Sequence, residues 1–413
     1  MKTIMSLSLP LLLLLVSSLQ AGAPPNIILI LADGINRDLV GCYGANSKTS
    51  SIDFLAEHGT RYETAWSMPT LAASQVTLLT GRYPFRDDIE VTPDLEGGSD
   101  SGLNVNAVTI AKVLKSSGYV TAAAGVWSMT EGEHFAERFT HYGFDRHCLW
   151  THANKANLTS NLYRRAQLDG EIQSVHSASE EIHTFINKLM DQAEQKPFFV
   201  YCSMLKLTAS FSVGKEGVGQ REMAPIRYVD RFVGELVESL DQKGLTDNTL
   251  IVFTSASPLV DSQPTNRVQG AKSHTVLSDR TVHVPFVVRA PFLTKGGNAS
   301  RDLIDFTDLF PTLLEVAGIE PPMNVELDGR SFLPGLKGSI DPFEKRSWIY
   351  SQFGETWVIR DWEHILDSAG NFHDLLKDPL QQEAVSPLDK QAPGRKQRLE
   401  MILKRLPAGK MQN

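Results

Sequence analysis

Asn26-Ile27-Ile28-Leu29-Ile30-Leu31-Ala32-Asp33-Gly34 is the stretch on which the fold turns. Its apolar part shows no polar alternation, which is how a strand buried on both faces reads, and such strands sit at the centre of parallel sheets. It halts at an Asp-Gly turn. Residues 118–126, 197–203, 248–254 and 284–289 have the same character and are read as parallel partners. Amphipathic helical stretches lie between them. Ser177-Ala178-Ser179-Glu180 has the form of a capping box, and Ile182, Phe185, Ile186, Leu189 and Met190 then share one face. A second helix is expected over 226–242, with Phe232, Leu236 and Leu240 inward. A third is expected over 305–317, stopped by Gly318. Strands alternating with helices predict an α/β doubly wound sheet, whose ligands bind beyond the carboxyl ends of the strands. Those ends are Asp33-Gly34, Val126-Trp127-Ser128, Lys206-Leu207-Thr208 and Ser255-Ala256-Ser257.

From about Glu320 the rhythm changes. Residues 348–359, 364–367 and 371–376 read as short antiparallel strands and 396–406 as a last helix. The chain therefore divides into a main α/β domain, 24–320, and a smaller C-terminal α+β subdomain, 321–413. Residues 1–23 carry one cation, Lys2, an apolar run through Leu15 and a small-residue end, Ala21-Gly22-Ala23, the layout of a cleavable signal peptide. The expected location is secreted or periplasmic. No later stretch is apolar enough to span a bilayer. Forty Lys and Arg against 48 Asp and Glu leave a charge of -8, which argues against nucleic acid as a partner. With 42% hydrophobic and 21% charged residues the composition excludes a disordered chain. Cys42, Cys148 and Cys202 allow one disulfide at most.

Several ordered motifs resemble the sulfatase family, within the alkaline-phosphatase-like superfamily. Residues 25–44 match its opening strand and Gly-Cys-Tyr-Gly turn, here Gly41-Cys42-Tyr43-Gly44. Leu78-Leu79-Thr80-Gly81-Arg82-Tyr83-Pro84 matches the end of the nucleophile-bearing helix. Val284-Pro285-Phe286, the helix after Phe306, and Phe372-His373-Asp374-Leu375 with Asp378-Pro379 match later family motifs. The resemblance implies a large, mostly parallel sheet sandwiched by helices. It also implies sulfate-ester hydrolysis by a formylglycine made from a Cys or Ser in Cys/Ser-x-Pro-x-Arg. A calcium ion would be held by three Asp and an Asn, and Lys, His and Arg would grip the sulfate.

Residue by residue, this chain departs from that pattern. Asp33 keeps the first metal Asp, but the second falls on Gly34. Counting back from Thr80-Gly81, the modified Cys falls on Leu71, the Pro on Ala73 and the Arg on Gln75. The Lys and His after the 118–126 strand become Val126 and Ser128, a further His becomes Thr208, and the Asp-Asn pair becomes Ala256-Ser257. The last Lys falls near His274, or on Lys272. A hard dication takes about 6–8 oxygens, so no cofactor is expected, or calcium if the family site is partly kept. Three weaker readings accompany this one. Thr70 is the alternative nucleophile of a working sulfatase or phosphoester hydrolase, against a cap after Pro69. Ser74 is read as the N-cap of the 74–80 helix and, with Lys272 and His274, as part of an anion-binding pocket. Lys206 and His283 are candidates for the same pocket, while His134, His141, His147 and His152 are read as ordinary loop residues. The functional expectation is an exported sulfatase-family pseudoenzyme, its partner a sulfated or anionic saccharide.

Overall fold

The computed structural model describes residues 23–86, 103–129, 139–150, 165–169, 171–174, 178–193, 196–204, 218–256, 277–385 and 392–406. The opening run forms β1 (Asn26–Ala32), every residue buried. It is hydrogen-bonded in parallel to β7 (Phe198–Ser203) on one side and β8 (Thr249–Ser255) on the other. Beyond β7 lie β3 (Val120–Val126) and β4 (Arg146–Trp150), also parallel. The hairpin β5 (Arg165–Leu168) and β6 (Glu171–Ser174) closes that edge. Beyond β8 come β9 (Phe286–Arg289), β2 (Thr60–Trp66) and β10 (Asn298–Asp305). The order is β10-β2-β9-β8-β1-β7-β3-β4-β5-β6.

One expectation is corrected here. The 284–289 run was read as parallel, yet β9 is antiparallel to both β8 and β2. Burial on both faces removes polar alternation whichever way a strand runs, so the pattern reports the layer and not the direction.

The two faces of β1 feed separate cores. Ile27, Leu29 and Leu31 pack with helices α2 (Leu71–Thr80), α3 (Ile110–Ser116) and α7 (Leu309–Val316). Ile28 and Ile30 pack with α1 (Ser50–Glu57), α4 (Ala178–Gln192) and α5 (Val218–Gln242). This is a helix–sheet–helix sandwich. The expected inward faces of α4 and α5 are observed: Ile182, Phe185, Ile186, Leu189, Phe232, Leu236 and Leu240 are all buried. The expected cap at Ser177 lies outside the described residues, and α5 begins earlier than 226. The 305–317 stretch is not one helix. Asp305 ends β10 and its carboxylate caps a 3-10 turn, Phe306–Asp308, from which α7 continues. Gly318 sits in the left-handed region, φ 71°, as a helix stop requires.

The short helix α6 (Asp279–Val282) precedes β9, and α8 (Leu333–Leu336) leads toward the second sheet. That sheet is β11 (Ile349–Phe353), β12 (Thr356–Arg360), β13 (His364–Asp367) and β14 (Phe372–Asp374), antiparallel throughout, with α9 (Ala392–Leu403) beside it. One face of it packs on Met68, Ala73 and Tyr83, the other on Trp66, Val282 and Leu303. The three cysteines are free thiols.

Candidate functional site

The carboxyl ends of the parallel strands are brought level by backbone bonds. Met204 N–H donates to Leu31 O at 2.8 Å and Ala256 N–H to Ala32 O at 2.7 Å. The chain leaving β1 turns through Gly34, φ 75°, and Ile35 N–H reaches the Ser255 hydroxyl at 3.0 Å. Asp33 stands at this rim, only 9% exposed. The start of α2 faces the same rim from the end of β2.

Thr70 is the N-cap of α2: its backbone is extended and its hydroxyl accepts from Ala73 N–H at 3.3 Å. The expectation that Ser74 caps this helix is therefore wrong. Ser74 lies one turn inside and is fully buried. Its hydroxyl is 2.6 Å from Ala256 O and 3.0 Å from Met68 O, and accepts from Met68 N–H at 3.1 Å. It ties the helix to the end of β8, and its free rotor is spent on backbone. The sequence favoured Ser74 because a Ser before an apolar run resembles a cap. Thr70, four residues earlier, has the extended backbone a cap needs, and its hydroxyl takes a free donor of the first turn, Ala73 N–H.

Gln75, which falls where the family resemblance leads one to expect an arginine, is completely buried. Its amide nitrogen donates to Val126 O at 2.8 Å and to the Ser203 hydroxyl at 3.0 Å, and its oxygen accepts from Ser128 N–H at 3.0 Å. One neutral side chain thus joins α2 to the ends of β3 and β7. Beneath it burial drives the Tyr201 phenol above its ordinary range, so that group stays neutral. Leu71 opens α2 with a hydrocarbon side chain. Cys42 is no substitute nucleophile, because burial and then Asp53 push its thiol up to about 12.

The remaining candidates separate. His283 does not join the rim: its ring bonds Asp279 at 3.0 Å and Glu63 O at 2.9 Å. His147 is not a loop residue but a buried member of β4 packed on Phe139. Trp127 is 1% exposed and packs among Phe139, Tyr142, Phe144 and Tyr201. Lys206, Thr208, Ser257, Lys272, His274, His134 and His152 lie outside the described residues. At the metal position Asp33 has Gly34 and Ala256 beside it, neither carrying a side-chain oxygen. Among the described residues no group of three His, Cys, Asp or Glu side chains is placed to hold a metal ion. A calcium ion takes several oxygens, with carboxylates to balance its charge; of Asp33, Gly34 and Ala256 only Asp33 supplies a side-chain oxygen.

The profile of the sulfatase family matches residues 25–209 and 219–319. Arylsulfatase A of Bos taurus is 30% identical over 379 residues, covering 83% of this chain and 73% of that protein. N-acetylgalactosamine-6-sulfatase of Canis lupus familiaris is 26% identical over 373 residues, covering 79% and 70%. Among solved structures, Ps i-CgsB in complex with k-i-k-neocarrahexaose superposes with a TM-score of 0.76 at 23% identity, covering 92% of each chain. A protein solved with its substrate D-glucosamine-2-N,6-O-disulfate gives 0.73 at 18% identity, covering 92% and 97%. The profile spans most of the chain, and the bovine relative is 30% identical with more than two thirds of each chain covered. The chain belongs to the sulfatase family.

Proposed function

We propose that this chain is an exported sulfatase-family protein that has lost ester hydrolysis and uses the old cleft to bind a sulfated saccharide. The observation that carries the reading is Gln75. Where a sulfate-gripping cation is expected, a neutral amide is buried and fully engaged with Val126, Ser203 and Ser128. Stabilising the charge that develops on sulfate in the transition state is the largest part of such catalysis. With Leu71 and Gln75 in these positions, neither the attacking atom nor that stabilisation is supplied. Thr70 offers a hydroxyl, but it is occupied as a helix cap, and a hydroxyl nucleophile needs an activating base or metal.

Support for a sulfated saccharide comes from what the relatives are named for: N-acetylgalactosamine-6-sulfatase, and the structure holding D-glucosamine-2-N,6-O-disulfate. Export rests on the sequence of residues 1–23; among the described residues no helix is long and apolar enough to cross a membrane.

The test uses purified protein with an aryl sulfate and an aryl phosphate, with and without calcium, followed by thermal-shift titrations with calcium and with sulfated saccharides. The expected result is no turnover above buffer, no shift with calcium and a saturable upward shift with a sulfated saccharide. Calcium-dependent turnover abolished by Asp33→Ala, or turnover abolished by Thr70→Ala, would overturn the proposal.

A further inference from the structure

At the far end of α2, ten residues or about 15 Å from its cap at ~1.5 Å per residue, the surface holds a concavity. Its volume is about 420 Å³, within the roughly 300–1,000 Å³ range of small-molecule sites. Three carboxamides line it: Asn104, Asn106 and Asn324. Asn104 is held in place because its side-chain oxygen accepts from Asn106 N–H at 2.9 Å. The carboxamides of Asn106 and Asn324 make no hydrogen bond to another described residue. The charged side chains on the wall, Arg82 and Glu326, are of opposite sign. Glu326 is moreover paired with Arg86 at 2.9 Å, and Arg86 is anchored on Asp328. Val108 and Val325 supply an apolar patch between these polar groups.

We infer that this pocket binds a neutral saccharide, as one or two pyranose units, independently of the cleft at the other end of α2. Each carboxamide offers donors and an acceptor side by side, which matches a hydroxyl pair that both gives and receives hydrogen bonds. The wall carries one charge of each sign, Arg82 and Glu326, so the lining sums to zero and gives no preference for an anion. The valines provide the apolar surface that a pyranose C–H face covers. A purely hydrocarbon ligand would strand the carboxamides without water and without partners.

The experiment is saturation-transfer NMR and calorimetry on the full mature chain. The probes are D-glucose, D-galactose, N-acetyl-D-galactosamine and, as the charged control, D-glucuronate. Saturable binding of at least one neutral sugar is expected. In the Asn106→Ala/Asn324→Ala double variant its Kd rises about tenfold or more, a factor of ten corresponding to ~1.4 kcal/mol. Both positions are exposed, so the variant keeps the parent melting temperature, which is measured alongside. A Val325→Trp variant, filling the pocket from its apolar side, abolishes binding as well. The inference fails if no neutral sugar binds saturably, if both variants bind with the parent Kd, or if glucuronate binds preferentially and weakens with added salt. Loss of sulfated-saccharide binding in the cleft would leave these outcomes unchanged, so the two proposals fail separately.

Discussion

Gln75 shows how much of the site a reader of the sequence can reach and where that reach ends. Its position relative to Thr80-Gly81, where the resemblance leads one to expect an arginine, is legible by counting, and both ends of that count lie on one helix or its cap. So are Gly34 and Ala256, which follow directly on buried strands. What the side chain does is not legible, since its partners Val126 and Ser203 are 51 and 128 residues away and no local pattern encodes that. Gln75→Ala would strand Val126 O, the Ser203 hydroxyl and Ser128 N–H in a buried setting. Buried unsatisfied groups cost ~1–3 kcal/mol each, and some relaxation is available, so a total loss of about 2–4 kcal/mol is expected. Urea denaturation measures it. A loss below about 1 kcal/mol would mean that water replaces the amide, which would reopen the floor of the cleft. Thr70→Ala removes a cap and not a network, so it should cost only ~1 kcal/mol. The order Gln75 before Thr70 is itself a check on the geometry.

At the level of elements, the apolar runs were the legible part. The strands beginning near 26, 120, 198 and 249 follow from residues without polar interruption, and the three β-rich stretches after 348 mark the second sheet, although 348–359 is a hairpin of two strands, β11 and β12. Strands β2, β4, β5, β6 and β10 are not legible in the sequence: Thr60-Arg61-Tyr62-Glu63-Thr64 mixes charges with buried positions, the first five residues of β10 are exposed or half-buried, and β4 to β6 are only four or five residues long. Their pairing is decided by the neighbours. The short helix α6 illustrates such tertiary control, because Asp279 fastens three elements. It accepts from Trp66 Nε1 on β2 at 2.9 Å and from Arg360 on β12 at 2.6 Å, and it bonds His283 at 3.0 Å. Burial alone would raise its carboxyl, but Arg360 and His283 outweigh that and hold it far below the usual carboxylate range. A carboxyl depressed in the folded state contributes stability above the unfolded value of ~3.9 and loses it as pH falls through the lower folded value. Asp279→Asn is therefore expected to be clearly less stable than the parent at pH 6. The gap should narrow progressively from about pH 4 downward. Thermal melts across that range read it directly, and a gap independent of pH would refute the assignment.

The molecule as a whole is held together by a joint that the division at residue 320 does not reveal. Arg346, 8% exposed, enters from the C-terminal side. It donates to both oxygens of Asp308 at 2.6–2.9 Å, to Thr307 Oγ1 at 3.2 Å and to Asp328 O at 2.9 Å. Nearby, Asp305 accepts from the Tyr83 hydroxyl at 2.7 Å and from Tyr350 N–H at 3.2 Å, and Ser351 Oγ donates to Ser67 O at 3.0 Å. The apolar contacts run the same way, since both faces of the second sheet share clusters with residues of the first domain. The 24–320 and 321–413 parts are accordingly expected to unfold together. Circular dichroism and tryptophan fluorescence should give coincident transitions, and a chain ending at 320 should not fold stably. Arg346→Ala is the sharpest probe. It leaves Asp308, 1% exposed, with its charge uncompensated, and breaking a buried pair in this way costs about 3–5 kcal/mol. Burial and the charge of Asp305 already push the Asp308 carboxyl upward, with Arg346 opposing them. Without the arginine, the folded state should bind a proton there more tightly than the unfolded state does. A group raised in the folded state stabilises below its unfolded value and loses that contribution as pH rises. The deficit of Arg346→Ala relative to the parent should therefore be larger at pH 7 than at pH 5. Equal deficits at the two pH values would show that Asp308 finds another cation or water, and that the joint rests on packing rather than on this pair.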